Sequence, residues 1–375
     1  MDFFSHEQYI YIRHESFCQV NSLSANYMQP QSGLSEIDKL ISILQQSQIP
    51  ANLKERAMQQ IERIALTLKF GGNLTQLDVT EKYIDWITNL PWFNSSQDLL
   101  DIRRAKELLD KKHYGLDRVK TRVLEYISML ILQKQNLKLE AYRAPILFFV
   151  GLAGTGKTTF AVSLAEAFGR EFIRIPFGGL GSAFDLRGQP KTTPAAEPGM
   201  IIKALRKANT KNPVILLDEL DRVSSDARSS IMGVLIEVLD PGQNVAFTDY
   251  FIDFPFDLSQ VLFVATANNT KDIATAVLDR LEVIQMPSYN DDEKIYIGKN
   301  YVFPKYVQDL GLTSQQIGID DAVWPKLVRP LGFEPGIRSL ERMIEGIVRK
   351  SAYKLVSGQV PSVYVNENNM KEYIA

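Results

Sequence analysis

Residues 146–160, ILFFVGLAGTGKTTF, restrict the fold of this chain more than any other stretch. Five apolar residues, 146–150, read as a buried strand that Gly151 breaks. Gly151, Gly154 and Gly156 then make a loop with little side-chain bulk. Lys157, Thr158 and Thr159 follow, and Phe160, Leu164 and Ala167 continue as one face of a helix. The order is strand, GxxxxGK[ST] loop, helix. Glycines are needed because several backbone N–H groups must turn inward onto one anion, where a Cβ would block them. The helix N-terminus adds partial positive charge, Lys157 can reach outer phosphates, and Thr158 offers a hydroxyl to Mg²⁺. Gly151, Gly154, Thr155, Gly156, Lys157, Thr158 and Thr159 are therefore the candidate phosphate cradle. The plainer alternative is a glycine-rich turn, but the flanking strand and helix are those the phosphate loop requires.

The pattern continues past the loop. Strands are expected at 171–177, 214–217, 261–266 and 281–286, with helices at 200–208 and 229–239 between them. Strands alternating with helices predict an α/β fold, a mostly parallel sheet covered on both faces. Glycine-rich residues 178–199 read as a long surface loop, a feature usually functional or disordered in a compact domain. From about Pro287 the pattern turns helical, at 293–300, 322–328 and 337–355, which marks a smaller second domain. Upstream, Ser35 with Asp38 resembles a capping box ahead of Ile37, Leu40, Ile41 and Leu44 at helical spacing. A second amphipathic helix runs from Leu53 to Leu68 and stops at Gly71-Gly72. A third, around Tyr83, Ile84 and Ile87, ends at Leu90-Pro91-Trp92. This block reads as a plain helical bundle, and residues 1–34 as a poorly specified tail or arm. Two more helices flank His113-Tyr114-Gly115-Leu116.

Composition removes several function classes. The 375 residues carry 42 basic and 44 acidic side chains, a net charge of −2, so no global basic field recruits nucleic acid. The one cysteine, Cys18, excludes an internal disulfide and fits a reducing compartment. No apolar run approaches the length needed to span a bilayer. The first residues, MDFFSHEQYIYIRHE, have neither a signal peptide's apolar core nor a transit peptide's Arg-rich character. The expected location is the cytoplasm.

Five further residues are candidates for chemistry. Asp218-Glu219 ends the strand 214–217, and strand ends in such sheets open onto the ligand crevice. An aspartate there can hold Mg²⁺, directly or through water, and the adjacent glutamate can polarise a water towards a γ-phosphate. The plainer alternative is a pair of acids capping a buried strand. Asn268, closing VLFVATAN, could orient that water, or could simply begin a turn with Asn269 and Thr270. Arg280 reads on its own as a partner of Asp279 or Glu282. The site so far lacks an arginine to neutralise transition-state charge, so one supplied across a subunit boundary is attractive. Arg338 could likewise be no more than an i,i+4 partner of Glu334.

HYGL with VKTRVLEY, GLAGTGKT, RGQPKTTPAAEPG, NPVILLDELD, EVLDPGQN, FVATAN, VLDRLEVI and PGIRSLERMI follow one another in the order of the Lon family. From about residue 35 onward the chain resembles the ATPase part of Lon, an AAA+ motor. LPW at 90–92 and the helices before it match the helical segment that precedes that module. The resemblance implies an α/β AAA+ P-loop sheet-and-helix domain over 93–287, an N-terminal helical segment over 35–92 and an all-α lid over 288–375. It places His113 and Tyr114 at adenine, Gly154, Gly156, Lys157 and Thr158 in Walker A, and Asp218 and Glu219 in Walker B. It makes Asn268 sensor 1, Arg280 an arginine finger and Arg338 sensor 2. ATP and Mg²⁺ are the implied ligands and a homohexameric ring the implied assembly. In that family the ring threads unfolded protein towards a peptidase domain. Two departures are expected to matter. Where the family's pore loop has an aromatic followed by an aliphatic residue, this chain has Thr193 and Pro194, which offer little area to grip a chain. The sequence also ends at KEYIA, where the linker to the peptidase would begin, so no proteolysis is expected of these residues alone. The expected role is an ATPase that unfolds or remodels protein. The alternatives are the ATPase fragment of a whole Lon protease, or a nucleotide-dependent switch.

Overall fold

The computed structural model describes residues 30–70, 75–135, 145–193, 195–329, 332 and 334–374. Gly71-Gly72, Pro194 and the tail before residue 30 lie outside them. The first three helices are α1 (Pro30–Gln46), α2 (Ala51–Lys69) and α3 (Thr75–Thr88). α1 begins five residues earlier than the capping-box reading of Ser35, which lies inside the helix. Helices α4 (Ile102–Lys112) and α5 (Asp117–Gln135) flank the HYGL turn as expected. Asp101 caps α4 by accepting from the N–H groups of Arg103 and Arg104.

The α/β part then runs β1 (Ile146–Val150), α6 (Lys157–Phe168), β2 (Phe172–Pro176), α7 (Ala183–Arg187), α8 (Met200–Ala208), β3 (Val214–Asp218) and α9 (Ser225–Leu239). A short hairpin of β4 (Phe247–Thr248) and β5 (Pro255–Phe256) precedes β6 (Leu262–Ala267), α10 (Thr275–Leu278) and β7 (Leu281–Gln285). The five long strands form one parallel sheet in the order β2-β3-β6-β1-β7. Alternation along β1 sorts its side chains to two cores. Phe148 and Val150 pack with Ile215, Leu217 and the helices α8 and α9, whereas Leu147 and Phe149 pack with Leu164, Val123 and Leu109 of α6, α5 and α4. The expected long loop 178–199 is interrupted by α7, whose Ser182 and Asp185 form a capping box over one turn too short for periodicity to reveal.

The first core does not stop at the sheet. It runs on into α1, α2 and α3 through Trp92, whose ring lies 4.9 Å from Phe256 and 5.8 Å from Phe254. Tyr83 donates to the Ile252 carbonyl at 3.3 Å. The N-terminal helices are thus buttressed by the β4–β5 region rather than forming an isolated bundle.

The last part comprises α11 (Asp291–Ile297), a π-helical turn at Gly298–Val302, α12 (Phe303–Asp309), β8 (Ile317–Ile319), α13 (Trp324–Val328), α14 (Arg338–Val356), β9 (Val363–Val365) and α15 (Met370–Tyr373). Its own core is built on Trp324, Leu340, Ile344 and Ile347. The lid is helical as expected but not wholly so, because β8 and β9 pair in parallel. Three-residue strands are too short for a period of two to show in sequence. Among the described residues no helix is long and apolar enough to cross a membrane.

Candidate nucleotide site

β1 and β6 are neighbours, yet the chain leaves β1 towards β2 on one side and leaves β6 towards β7 on the other. Such a reversal opens a crevice at the carboxyl ends of the two strands. The phosphate loop follows β1 and Asn268 follows β6, so both reach that crevice. Gly154 and Gly156 adopt φ of 81° and 94°, the left-handed region that side chains avoid. Gly151 is needed for space, since a Cβ there would sit 2.7 Å from the Met286 carbonyl oxygen. The hydroxyl of Thr155 donates to the Leu152 carbonyl at 2.9 Å and that of Thr159 to the Gly156 carbonyl at 2.7 Å. Both therefore brace the loop, while Thr158 lines the cavity beside it.

Lys157 Nζ donates to the Gly151 carbonyl at 2.5 Å, the Leu152 carbonyl at 3.0 Å and Asn268 Oδ1 at 3.2 Å. Burial holds its pKa below the usual lysine range, helped by the Arg338 cation, while Asp221, Asp218 and Glu219 pull the other way. Asp218 ends β3 and is 4% exposed. One of its oxygens accepts the Thr266 hydroxyl, and the other accepts from Arg174 Nε at 2.6 Å. The same Thr266 oxygen accepts the Glu219 N–H at 3.0 Å. Glu219 occupies the left-handed region at φ 60°, unusual for a side chain of this size, and its carboxylate lies 3.5 Å from Arg222 Nε. Asp221 accepts the Asn268 N–H at 3.1 Å. Sequence reasoning missed Thr266 and Asp221. The available signal was a hydroxyl inside an otherwise apolar strand, which must find a partner once buried.

The lid closes the crevice by backbone contact. Ile337 N–H donates to the Gly154 carbonyl at 3.2 Å, and a Cβ on Gly336 would collide with the Ala153 carbonyl oxygen. The cavity between lid and phosphate loop measures about 310 Å³. Its phosphate-loop wall is Gly154, Gly156, Lys157 and Thr158. The other walls include His113, Tyr114, Tyr289, and Tyr301, Lys305, Tyr306 and Arg338 from the lid. The lid residues at 301–306 carry no motif and went unread in the sequence. His113 is buried, with its ring stacked on Phe160 at 3.8 Å and Nε2 2.9 Å from the Ser163 hydroxyl oxygen. Burial, with the cations Lys120 and Lys112, pushes its pKa down to about 4, so the imidazole is neutral near pH 7. Tyr114 stacks on Tyr296 of α11 at 4.0 Å, which joins the HYGL turn to the lid.

Arg338 opens α14 and lines the cavity, and the alternative pairing with Glu334 does not form. Glu334 Oε1 instead accepts the Ser339 N–H at 3.1 Å. Arg280 lies elsewhere. Its carbonyl accepts from Ile146 N–H, the first residue of β1, so it stands at the opposite end of the sheet from the phosphate loop. Its guanidinium pairs with Asp240 at 2.9 Å and donates to the Ala276 carbonyl at 2.7 Å, not with the sequence neighbours Asp279 or Glu282. Thr193 sits in a tight turn, donating its N–H to the Pro190 carbonyl and accepting from Ala196 N–H.

The residues fit a triphosphate carrying Mg²⁺. Gly154 and Gly156 take backbone conformations that side chains avoid, Lys157 and the Thr158 hydroxyl line the same cavity, and the Asp218 carboxylate lies near enough to Lys157 to act on its pKa. Among the described residues no cluster of three His, Cys, Asp or Glu could hold a metal by itself.

Comparison with known families agrees. The family model for the AAA ATPases (ATPase family associated with various cellular activities) matches residues 147–289, and that for the Lon protease AAA+ ATPase lid domain matches 308–363. The chain is a Lon-type AAA+ ATPase module. It is 40% identical over 331 residues to a Lon protease of Desulforamulus reducens, covering 88% of this chain and 40% of that protein. It is 41% identical over 340 residues to a Lon protease of Dictyoglomus thermophilum, covering 90% and 42%. Lon protease 1 of Bacillus subtilis is 36% identical over 356 residues, covering 95% and 45%. The module thus spans about two fifths of the length of these curated relatives.

Proposed function

We propose that the module hydrolyses ATP with Mg²⁺ in a homohexameric ring and uses the turnover to unfold or remodel protein. Residues 35–92, 93–287 and 288–375 would act as helical segment, motor and lid. One observation carries the reading. Every other candidate polar group gathers at one end of the sheet, while Arg280 stands at the other. A strand of five residues spans roughly 15 Å, so Arg280 cannot serve its own phosphate loop and is available to a neighbouring copy.

The residues divide the work as follows. Backbone N–H groups of the loop and the α6 N-terminus hold the phosphates, and Lys157 exchanges its carbonyl partners for outer phosphate oxygens. Thr158 and Asp218 would hold Mg²⁺, which when bound neutralises charge between the outer phosphates. Glu219 polarises the attacking water and Asn268 orients it. Arg338 reports from the lid, and Arg280 of the adjoining copy meets the charge that develops on the transferred phosphoryl group. His113, neutral and stacked in the core, shapes the base end of the cavity, with Tyr114 beside it. The length of the Lon protease relatives favours a second reading, in which this module powers ATP-dependent proteolysis within a longer protein.

Phosphate release from ATP tests the assignment. Lys157→Ala should lose nucleotide binding, whereas Glu219→Gln should bind ATP and lose turnover by about 100-fold or more, the scale of a lost general base. Parental turnover in Glu219→Gln would remove that residue from the reaction.

A further inference from the structure

Arg174 is not among the residues that a phosphate-loop reading singles out, yet it makes one of the shortest polar contacts at the site. It lies on β2, the edge strand beside β3, in register with Leu216. Pro176, two residues on and sharing its face, is in register with Asp218. The Arg174 side chain therefore runs up the sheet edge to the carboxylate, where Nε lies 2.6 Å from Oδ2. The partners are unlike in their surroundings. The Asp218 side chain is 5% exposed, whereas that of Arg174 is 51% exposed. A carboxylate so enclosed is costly without a compensating cation. Lys157, the other nearby cation, directs its donors to Gly151, Leu152 and Asn268 instead.

We propose that Arg174 is the resident counter-cation of Asp218, which the incoming Mg²⁺ must displace from the carboxylate. The inference rests on the reading of Asp218 as the Mg²⁺-side acid. With Thr266 donating to Oδ1, Oδ2 is the oxygen that Arg174 covers. Oδ2 keeps a second lone pair, but the guanidinium and the ion are both cations, and their repulsion beside one oxygen sets them in competition for it. The half-exposed guanidinium can swing into solvent at small cost, and the buried carboxylate cannot follow it. Arg174 is thus a positioning residue with two opposed effects. It stabilises the fold when no metal is present, and it raises the metal concentration needed to fill the site.

The test uses the full chain loaded with an ATP analogue bearing an imido β–γ bridge. Mn²⁺ is titrated by electron paramagnetic resonance, and melting is followed in EDTA and in saturating Mn²⁺. Asp218→Asn should weaken Mn²⁺ binding. If it binds Mn²⁺ like the parent, the reading of Asp218 fails, and the role of Arg174 falls with it. If Asp218→Asn is weak, Arg174 is tested on its own. Arg174→Gln should lower the half-saturating Mn²⁺ concentration by about three- to tenfold, the scale of one partly exposed charge-assisted hydrogen bond. It should also lower Tm in EDTA, with Mn²⁺ restoring more of the Tm than it adds to the parent. Arg174→Lys should bring both readouts back towards the parent. In an Asp218→Asn background, Arg174→Gln should no longer lower Tm. An unchanged or raised Mn²⁺ requirement in Arg174→Gln would overturn the proposal, leaving Arg174 a purely structural partner. Should Arg174→Gln be too unstable to titrate in EDTA, failure of Mn²⁺ to rescue its Tm beyond the parental shift would overturn it equally.

Discussion

The two ends of the central sheet are built from the same five strands and could hardly differ more. At the carboxyl end, Asp218, Asn268 and the loop before Lys157 converge, and each polar group has a partner from a different strand or helix. At the amino end, Arg280 borders an apolar hollow lined by Leu130, Ile146, Leu239, Val261 and Phe263, and its guanidinium holds to Asp240. Its Nε is buried with no partner among the described residues. The contrast follows from parallel strands, because each contributes its carboxyl terminus to one edge. It teaches that one chain gathers the other candidate polar groups at one end of the sheet and holds Arg280 a strand length away, which is why the proposed function gives it to another copy.

The largest expected effect would break that comparison directly. Arg280→Ala should bind ATP normally and lose turnover by about 100-fold or more, as arginine fingers supply 10³-fold or more. Mixed with Glu219→Gln subunits, it should recover part of the activity through interfaces with one intact half from each protein. Mixtures shown to co-assemble but remaining inactive would mean that the two ends never meet.

A second test sharpens the comparison through pH. The His113 pKa is about 4 in the fold against an ordinary value near 6.5, so the fold favours the neutral ring. Its contribution to stability is present above pH 6.5 and is lost as pH falls towards 4. Asp249 works in the opposite sense, because burial raises its pKa to about 6, and protonation there relieves the fold as pH falls. The informative quantity is therefore a difference between proteins. Between pH 7 and pH 5, denaturant unfolding should show the stability gap between parent and His113→Gln shifting by about 2 kcal/mol in favour of the variant. Parallel curves would show that the ring titrates normally. Arg280→Ala, at the far end, should leave that acid profile unchanged.

The smallest effect concerns the segment around Lys191 and Ala196, which is tied to α3. Lys191 Nζ sits 4.0 Å over the Tyr83 ring, and Lys82 donates to the Ala196 carbonyl at 2.9 Å. Thr193→Tyr with Pro194→Ile should raise ATP-dependent unfolding of a tagged, loosely folded substrate a few-fold, because an aromatic side chain adds gripping area. Loss of substrate fluorescence in a confirmed hexamer, with a trap for unfolded chains, measures it. Equal rates in parent and variant would show that these two positions do not grip.

Much of this was legible without coordinates because the chemistry is local. A strand, three glycines, a lysine and a threonine occupy fifteen consecutive residues, and their backbone geometry follows from which of them lack a Cβ. Apolar strands alternating with amphipathic helices were enough for the parallel sheet. The short elements were not legible, since α7, β8 and β9 are shorter than any period that sequence can display. Nor were the partners drawn from distant parts of the chain. Nothing adjacent to Asp218 announces Arg174, 44 residues away, and nothing beside Arg280 announces Asp240. The sequence by itself determined the phosphate loop, the acids at the end of β3 and the class of fold, because those depend on neighbours along the chain. Tertiary structure alone decided which cation compensates which carboxylate, how the lid walls the cavity and which end of the sheet receives Arg280. Those depend on strand order and register, which bring distant residues to within a hydrogen bond of one another or hold them a full strand length apart.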